Sequence, residues 1–198
     1  MSAQDQKLTR RQHILQALAG MLEGDLDGRI TTAKLAQEVG VSEAALYRHF
    51  PSKTKMFEAL IEFIEQTVFE RVAVILKDQT TAESRCDAIL FLILAFCERN
   101  PGMARILVGD ALAGENAKLH ARVVQFFDRV ETQLKQVLRE AELREGLRPV
   151  LTVSESANLL ISCAEGRMLQ FVRSGFKRPP TQHWRDQYQH LMSSFFRE

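Results

Sequence analysis

Proline is scarce in this 198-residue chain, with 5 residues, and glycine is little commoner, with 10; most of them fall between periodic apolar stretches rather than inside them. That scarcity excludes collagen-like and low-complexity architectures and leaves room for long unbroken helices. Cysteine occurs only at Cys86, Cys97 and Cys163, with no C-x-x-C pair. An odd, scattered set argues against a disulfide framework and for a reducing compartment. The longest apolar run, Ala88 to Cys97, has ten residues, half of the ~20 that a membrane helix needs. The opening residues, MSAQDQKLTRRQHILQ, carry no apolar secretory segment, so no membrane span and a cytoplasmic location are expected.

Catalytic patterns are equally thin. There is no G-x-S-x-G, P-loop or dinucleotide-binding glycine pattern. His13, His49, His120, His183 and His190 never stand at H-x-x-x-H or H-x-x-E spacing, and only His183 and His190, seven apart, share a helical face. The cysteines sit in apolar helical stretches, as core residues do. No enzyme, cofactor or metal site is expected.

Periodicity then organises the chain. Thr9 with Gln12 has capping-box spacing and opens a helix carrying Ile14, Leu15, Leu18, Met21 and Leu22 on one face. Two short helices follow, about Ala33–Val39 and Glu43–His49, separated by Gly40 and closed by Pro51. A longer helix from Ser52 to about Asp78 and an apolar one from Ala82 to Arg99, expected to be packed all round, come next. Asn100–Pro101 reads as an N-cap with proline at the first helical position. A long helix from roughly Glu115 to Arg144, one capped by Thr152 and Glu155, and a last one through Trp184, Tyr188, Leu191, Met192 and Phe195 complete the chain. The expectation is an all-α fold of about nine helices and no strand, with residues 1–52 as an N-terminal domain and 53–198 as a helical bundle.

The net charge of +1 is uninformative until it is divided. Residues 29–55 hold five basic residues (Arg29, Lys34, Arg48, Lys53, Lys55) against Glu38 and Glu43, whereas residues 56–198 carry 18 basic and 19 acidic residues. The basic excess coincides with the two short helices, whose spacing is that of a helix-turn-helix: small Ala36 at the crossing, Gly40 in the turn, Leu46 as anchor. Ser42, Glu43, Ala44, Tyr47, Arg48 and His49 are then left outward on the second helix, where base edges and phosphates would be met. Thr31 and Thr32 precede the first, where a hydroxyl cap and free N–H groups suit a phosphate. Arg10 and Arg11 could reach DNA or remain solvated.

The stretch ITTAKLAQEVGVSEAALYRHFPSKTKMFEALIEFIE, residues 30–65, resembles the DNA-binding region of the TetR family, including its aromatic-x-x-Phe-x-x-Lys pattern at Tyr47, Phe50 and Lys53. Together with FCERNPGMARIL (96–107) and QLKQVLRE (133–140), it is similar to the nucleoid occlusion branch of that family over most of residues 8–196. The resemblance implies a TetR-like fold, homodimers, possible dimers of dimers on DNA, binding of palindromic chromosomal sites in double-stranded DNA, and a nucleoid-associated location. It also implies that the DNA-bound protein contacts the C-terminal tail of the tubulin-like division protein FtsZ and blocks division over the chromosome. The positions matching that partner surface are Phe63, Arg71, Leu92, Arg99 and Asn100. Ala95 and Cys97 stand where the resemblance leads one to expect glycine, which would narrow such a groove.

An alternative is a TetR-type transcriptional repressor released by a small apolar ligand, with Phe91, Phe96, Met103, Phe126, Phe127 and Met168 lining a pocket. Dimerisation is expected through the last two helices, where Ala157, Ser162, Ala164 and Gly166 would allow close approach. The helix from Ser52 offers a route between the two surfaces, because it begins at Lys53, expected to face phosphate, and runs on to Phe63 and Arg71.

Overall fold

The structure is a computed structural model that describes residues 9–24 and 30–197. Arg29, which entered the charge division, lies outside the described residues. Nine α-helices are present among those described, in the expected order: α1 (Arg10–Gly24), α2 (Thr32–Val39), α3 (Glu43–His49), α4 (Lys53–Asp78), α5 (Ala82–Arg99), α6 (Pro101–Leu107), α7 (Ala117–Glu145), α8 (Val153–Arg173) and α9 (Trp184–Met192).

Local chemistry explains most boundaries. The Thr9 N–H donates to Gln12 Oε1 and the Gln12 N–H to Thr9 Oγ1, closing the box that opens α1. Thr152 and Glu155 do the same for α8. Gly40 ends α2 at φ 71°, a left-handed turn that glycine enters without strain. Asn100 departs from expectation. Its side chain does not cap α6; Nδ2 donates instead to the Phe96 carbonyl and closes the end of α5. An amide can donate as well as accept, and a helix end leaves carbonyls in need of a donor.

α5 runs through the middle of the molecule, with Ile89, Leu90, Ile93, Leu94 and Cys97 inaccessible to solvent. It is not covered all round, because Phe91 is 44% exposed. α9 is strapped along α5 by Trp184 Nε1 donating to Asp87 at 2.7 Å and Tyr188 Oη donating to the Glu83 carbonyl at 2.8 Å. The absence of strands was an incomplete expectation: Arg148–Pro149 pairs antiparallel with Phe196–Arg197, tying the chain end to the α7–α8 link. Two residues a side are too few to show alternation.

The N-terminal helices join the body mainly through α6. Gly102 packs so tightly on α1 that a Cβ there would overlap the Ala19 carbonyl oxygen. Buried Arg105 donates to the Leu22 carbonyl at 2.8 Å and pairs with Asp110 at 2.5 Å, in a 3-10 turn (Asp110–Leu112) that follows α6. Because the obstructing atom belongs to backbone, Gly102→Ala is expected to cost about 2–3 kcal/mol. Gly20→Ala, in open space on α1, is expected to gain about 0.5–1 kcal/mol; denaturant unfolding of both variants checks the contrast.

Candidate nucleic-acid interface and partner groove

The helix-turn-helix core is built from Leu35, Ala36, Val39 and Leu46, all buried, which turns the remaining faces of α2 and α3 outward. Thr31 caps α2 by accepting from the Lys34 N–H, and Ser42 caps α3 by accepting from the Ala45 N–H, each at 3.2 Å. Glu43, Ala44, Tyr47, Arg48 and His49 are exposed on α3. A short hydroxyl chain connects the two helices: Tyr47 Oη donates to Thr32 Oγ1 at 3.3 Å, and Thr32 Oγ1 donates to Glu43 Oε2 at 2.8 Å. Tyr47 and Thr32 are thereby held in fixed positions on one surface.

Arg11 turns out to be structural. Its guanidinium donates to the His49 carbonyl at 3.1 Å and lies 4.2 Å from the centre of the Phe50 ring, pinning the end of α3 to α1. Lys53 also differs from expectation, since its ammonium does not reach outward. It is paired at 2.5 Å with Glu115, in the turn leading to α7, and both side chains are largely shielded. Lys55 pairs with Glu58 on the next turn. Much of the basic excess counted along 29–55 is thus neutralised within the protein, by acids that lie outside that stretch.

The second surface is a groove of about 390 Å³ between α4 and α5, lined by Phe63, Thr67, Arg71, Leu92, Phe96, Arg99 and Asn100. All five residues singled out from the sequence line it. Phe63 is 46% exposed, too open for a core residue, and Leu92 and Phe96 form the opposite apolar wall. Arg71 and Arg99, both exposed, stand at its rim. Thr67 and Phe96 were missed, although each lies four residues from a chosen position, Phe63 and Leu92 respectively, and so on the same helical face. Ala95 and Cys97 are buried and do not line the groove, so their methyl and thiol groups do not narrow it.

The six candidates for a ligand pocket do not converge. Phe96 faces the groove and Phe91 faces solvent, while Phe126 is buried against Phe69. Phe127 and Met168 line an open cavity of about 580 Å³ between α7 and α8, together with exposed Val124 and Leu169 and the carboxylates Asp128, Glu131 and Glu165. Glu165 is raised above the ordinary carboxylate range by burial and by Glu131. Elsewhere, burial pushes the Cys86 and Cys97 thiols up to about 12, which keeps them protonated and unreactive near neutral pH. No helix among the described residues is long and apolar enough to cross a membrane, and no three potential metal ligands gather among them.

Comparison with known proteins gives a consistent picture. Residues 28–60 match the family of bacterial regulatory proteins of the tetR type, and residues 77–195 match the SlmA-like group of tetracyclin repressor-like C-terminal domains. The chain is 57% identical over 185 residues to the nucleoid occlusion factor SlmA of Shewanella oneidensis, covering 93% of this chain and 94% of that protein. It is 55% identical over 184 residues to the SlmA of a Marinomonas species, covering 93% of each. Among solved structures, a TetR regulator from Haloarcula marismortui superposes with a TM-score of 0.79 at 17% identity over 95% of this chain and 98% of that one. FadR of Bacillus subtilis, in complex with stearoyl-CoA, superposes with a TM-score of 0.77 at 16% identity over 92% and 98%. At such identities these two likenesses concern the fold alone. Arg11→Ala, which removes a hydrogen bond and a cation–π contact, is expected to destabilise the protein by about 1–2 kcal/mol, measurable as a lower urea midpoint.

Proposed function

The chain belongs to the TetR family of bacterial regulatory proteins, in its nucleoid occlusion group, and from that premise we propose how its two surfaces share the work: α2 and α3 hold chromosomal sites while the α4–α5 groove recruits FtsZ. It is a DNA-binding nucleoid occlusion factor and not an enzyme. In this reading Thr31, Thr32, Ser42, Tyr47, Arg48 and His49 meet phosphates and base edges, and Ala44 admits close approach to a thymine methyl. Lys53 reaches phosphate only by leaving Glu115.

The partner is the C-terminal tail of FtsZ. The observation that carries this is the convergence of Phe63, Arg71, Leu92, Arg99 and Asn100 on one groove. An apolar floor with arginines at the rim suits a short segment bearing hydrophobic and acidic residues. A site-bound dimer would then hold division proteins beside the chromosome and prevent ring assembly there, at the nucleoid in the cytoplasm.

Dimerisation is a property of the group, but we assign it to α7 and α8 rather than to the expected pair of α8 and α9. Trp184, Tyr188 and Met192 of α9 are spent on the protein's own core, as are Ala157 and Ala164 of α8. Exposed Val124 and Leu169, with half-buried Phe127, leave apolar surface on α7 and α8 instead, and Gly166 faces open space there. A two-fold pairing of α7 and α8 covers the cavity between them and presents two α3 helices to half-sites about one DNA turn, ~34 Å, apart. The ligand-released repressor has less support, because its six residues scatter over core, groove and surface.

Two outcomes test the division of labour. Tyr47→Ala, at an exposed position, is expected to weaken binding to the protein's own site roughly tenfold or more at fixed salt while leaving the unfolding midpoint in place. Overproduction of the unaltered protein in a rod-shaped bacterium is expected to cause filamentation, and Arg71→Asp or Arg99→Asp is expected to abolish it while retaining site binding. Equal loss of both activities would instead make those arginines structural.

A further inference from the structure

The surface presented by α2 and α3 contains an acid at a place where acids are costly. Glu43 is exposed at the first position of α3, and a carboxylate turned toward polyanionic DNA weakens binding unless something on the DNA donates to it. The hydroxyl chain gives that carboxylate a fixed orientation. Tyr47 Oη donates to Thr32 Oγ1, Thr32 Oγ1 donates to Glu43 Oε2, and Glu43 ends the relay as an acceptor. Among the described residues its Oε1 has no protein partner.

The chemistry of base edges then narrows the choice. In the major groove guanine presents N7 and O6 and thymine presents O4, all acceptors that repel a carboxylate. Adenine offers its N6 amine beside the N7 acceptor, a pair that an amide matches and a carboxylate does not. Cytosine alone offers a donor, the N4 amine, with no acceptor on its own major-groove edge. The first residues of the second helix in a helix-turn-helix are those that reach base edges, and Ala44 beside Glu43 leaves room for approach. We infer that Glu43 reads a cytosine N4 amine once in each half-site, with Thr32 and Tyr47 as its positioning residues. The inference rests on the DNA-binding reading above and adds a base identity to it.

The test measures affinities of the full-length protein at fixed salt for its own site and for every single base-pair substitution of one half-site. The unaltered protein is expected to prefer cytosine at one position by about tenfold or more, the discrimination of one good side-chain–base contact. Glu43→Gln keeps the size and can still accept from Thr32, but its amide matches adenine. It is expected to lose the cytosine preference at that position, shift toward adenine there, and keep every other preference. Thr32→Val, which frees the carboxylate without removing it, is expected to blunt the preference for the same base. An unchanged profile for Glu43→Gln, or an equal loss at all positions, overturns the inference and leaves Glu43 as a brace for Thr32 and Tyr47. If the unaltered protein shows no preference at any position, the site-specific DNA reading itself fails, a result distinct from either.

Discussion

Gly102 lies against the carbonyl of Ala19, and Arg105, one turn later, holds the Leu22 carbonyl. Through those contacts α6 clamps the helix on which α2 and α3 pack to the body that carries the groove. The approach requires a residue without a side chain, and the buried guanidinium satisfies a carbonyl at the end of α1 that would otherwise be stranded. α6 also begins where the groove ends: Asn100 lines the groove, closes α5 through the Phe96 carbonyl, and receives the Met103 and Ala104 N–H groups on its own carbonyl. One short helix therefore contacts both α1, on which α2 and α3 pack, and the end of α5 that lines the groove. α4 is the second connection, a single helix of 26 residues from Lys53 past Phe63 and Arg71.

Charge in this molecule has to be read after pairing. Counted along the chain, residues 29–55 are a basic cluster; in the fold, Lys53 is taken up by Glu115, 62 residues away, and Lys55 by Glu58. What remains outward on α2 and α3 is a mixed surface of hydroxyls, one aromatic ring, one carboxylate and few cations, in which Tyr47, Thr32 and Glu43 are held in place by mutual hydrogen bonds. Such a surface favours discrimination between sequences over general attraction to phosphate.

Much of this architecture is legible in the sequence. Helix positions followed from apolar spacing and from caps such as Thr9 with Gln12 and Thr152 with Glu155, because these depend on residues within one turn of each other. Five groove residues were legible through resemblance and helical spacing; Thr67 and Phe96, one turn from Phe63 and Leu92, were not singled out for it. What escaped were groups with more than one way of being satisfied. The spacing makes Asn100 an acceptor before α6, whereas it serves as a donor after α5; a basic pair at a helix start suits solvent or DNA equally, whereas Arg11 is bound to His49 and Phe50. The apolar face of α9 pointed equally well to a second copy or to α5, and periodicity carries no information about which surface covers a face.

The sequence by itself determined the all-α architecture, the helix-turn-helix with its Ala36, Gly40 and Leu46, and the family, since local hydrogen bonding, apolar period and motif spacing are properties of neighbouring residues. Only the tertiary structure decided which charges are spent internally, which helices keep apolar surface free, and that Phe63 and Leu92, on different helices, face one groove. Those outcomes depend on contacts between residues tens of positions apart, and a pairing such as Lys53 with Glu115 leaves no trace in the spacing of either.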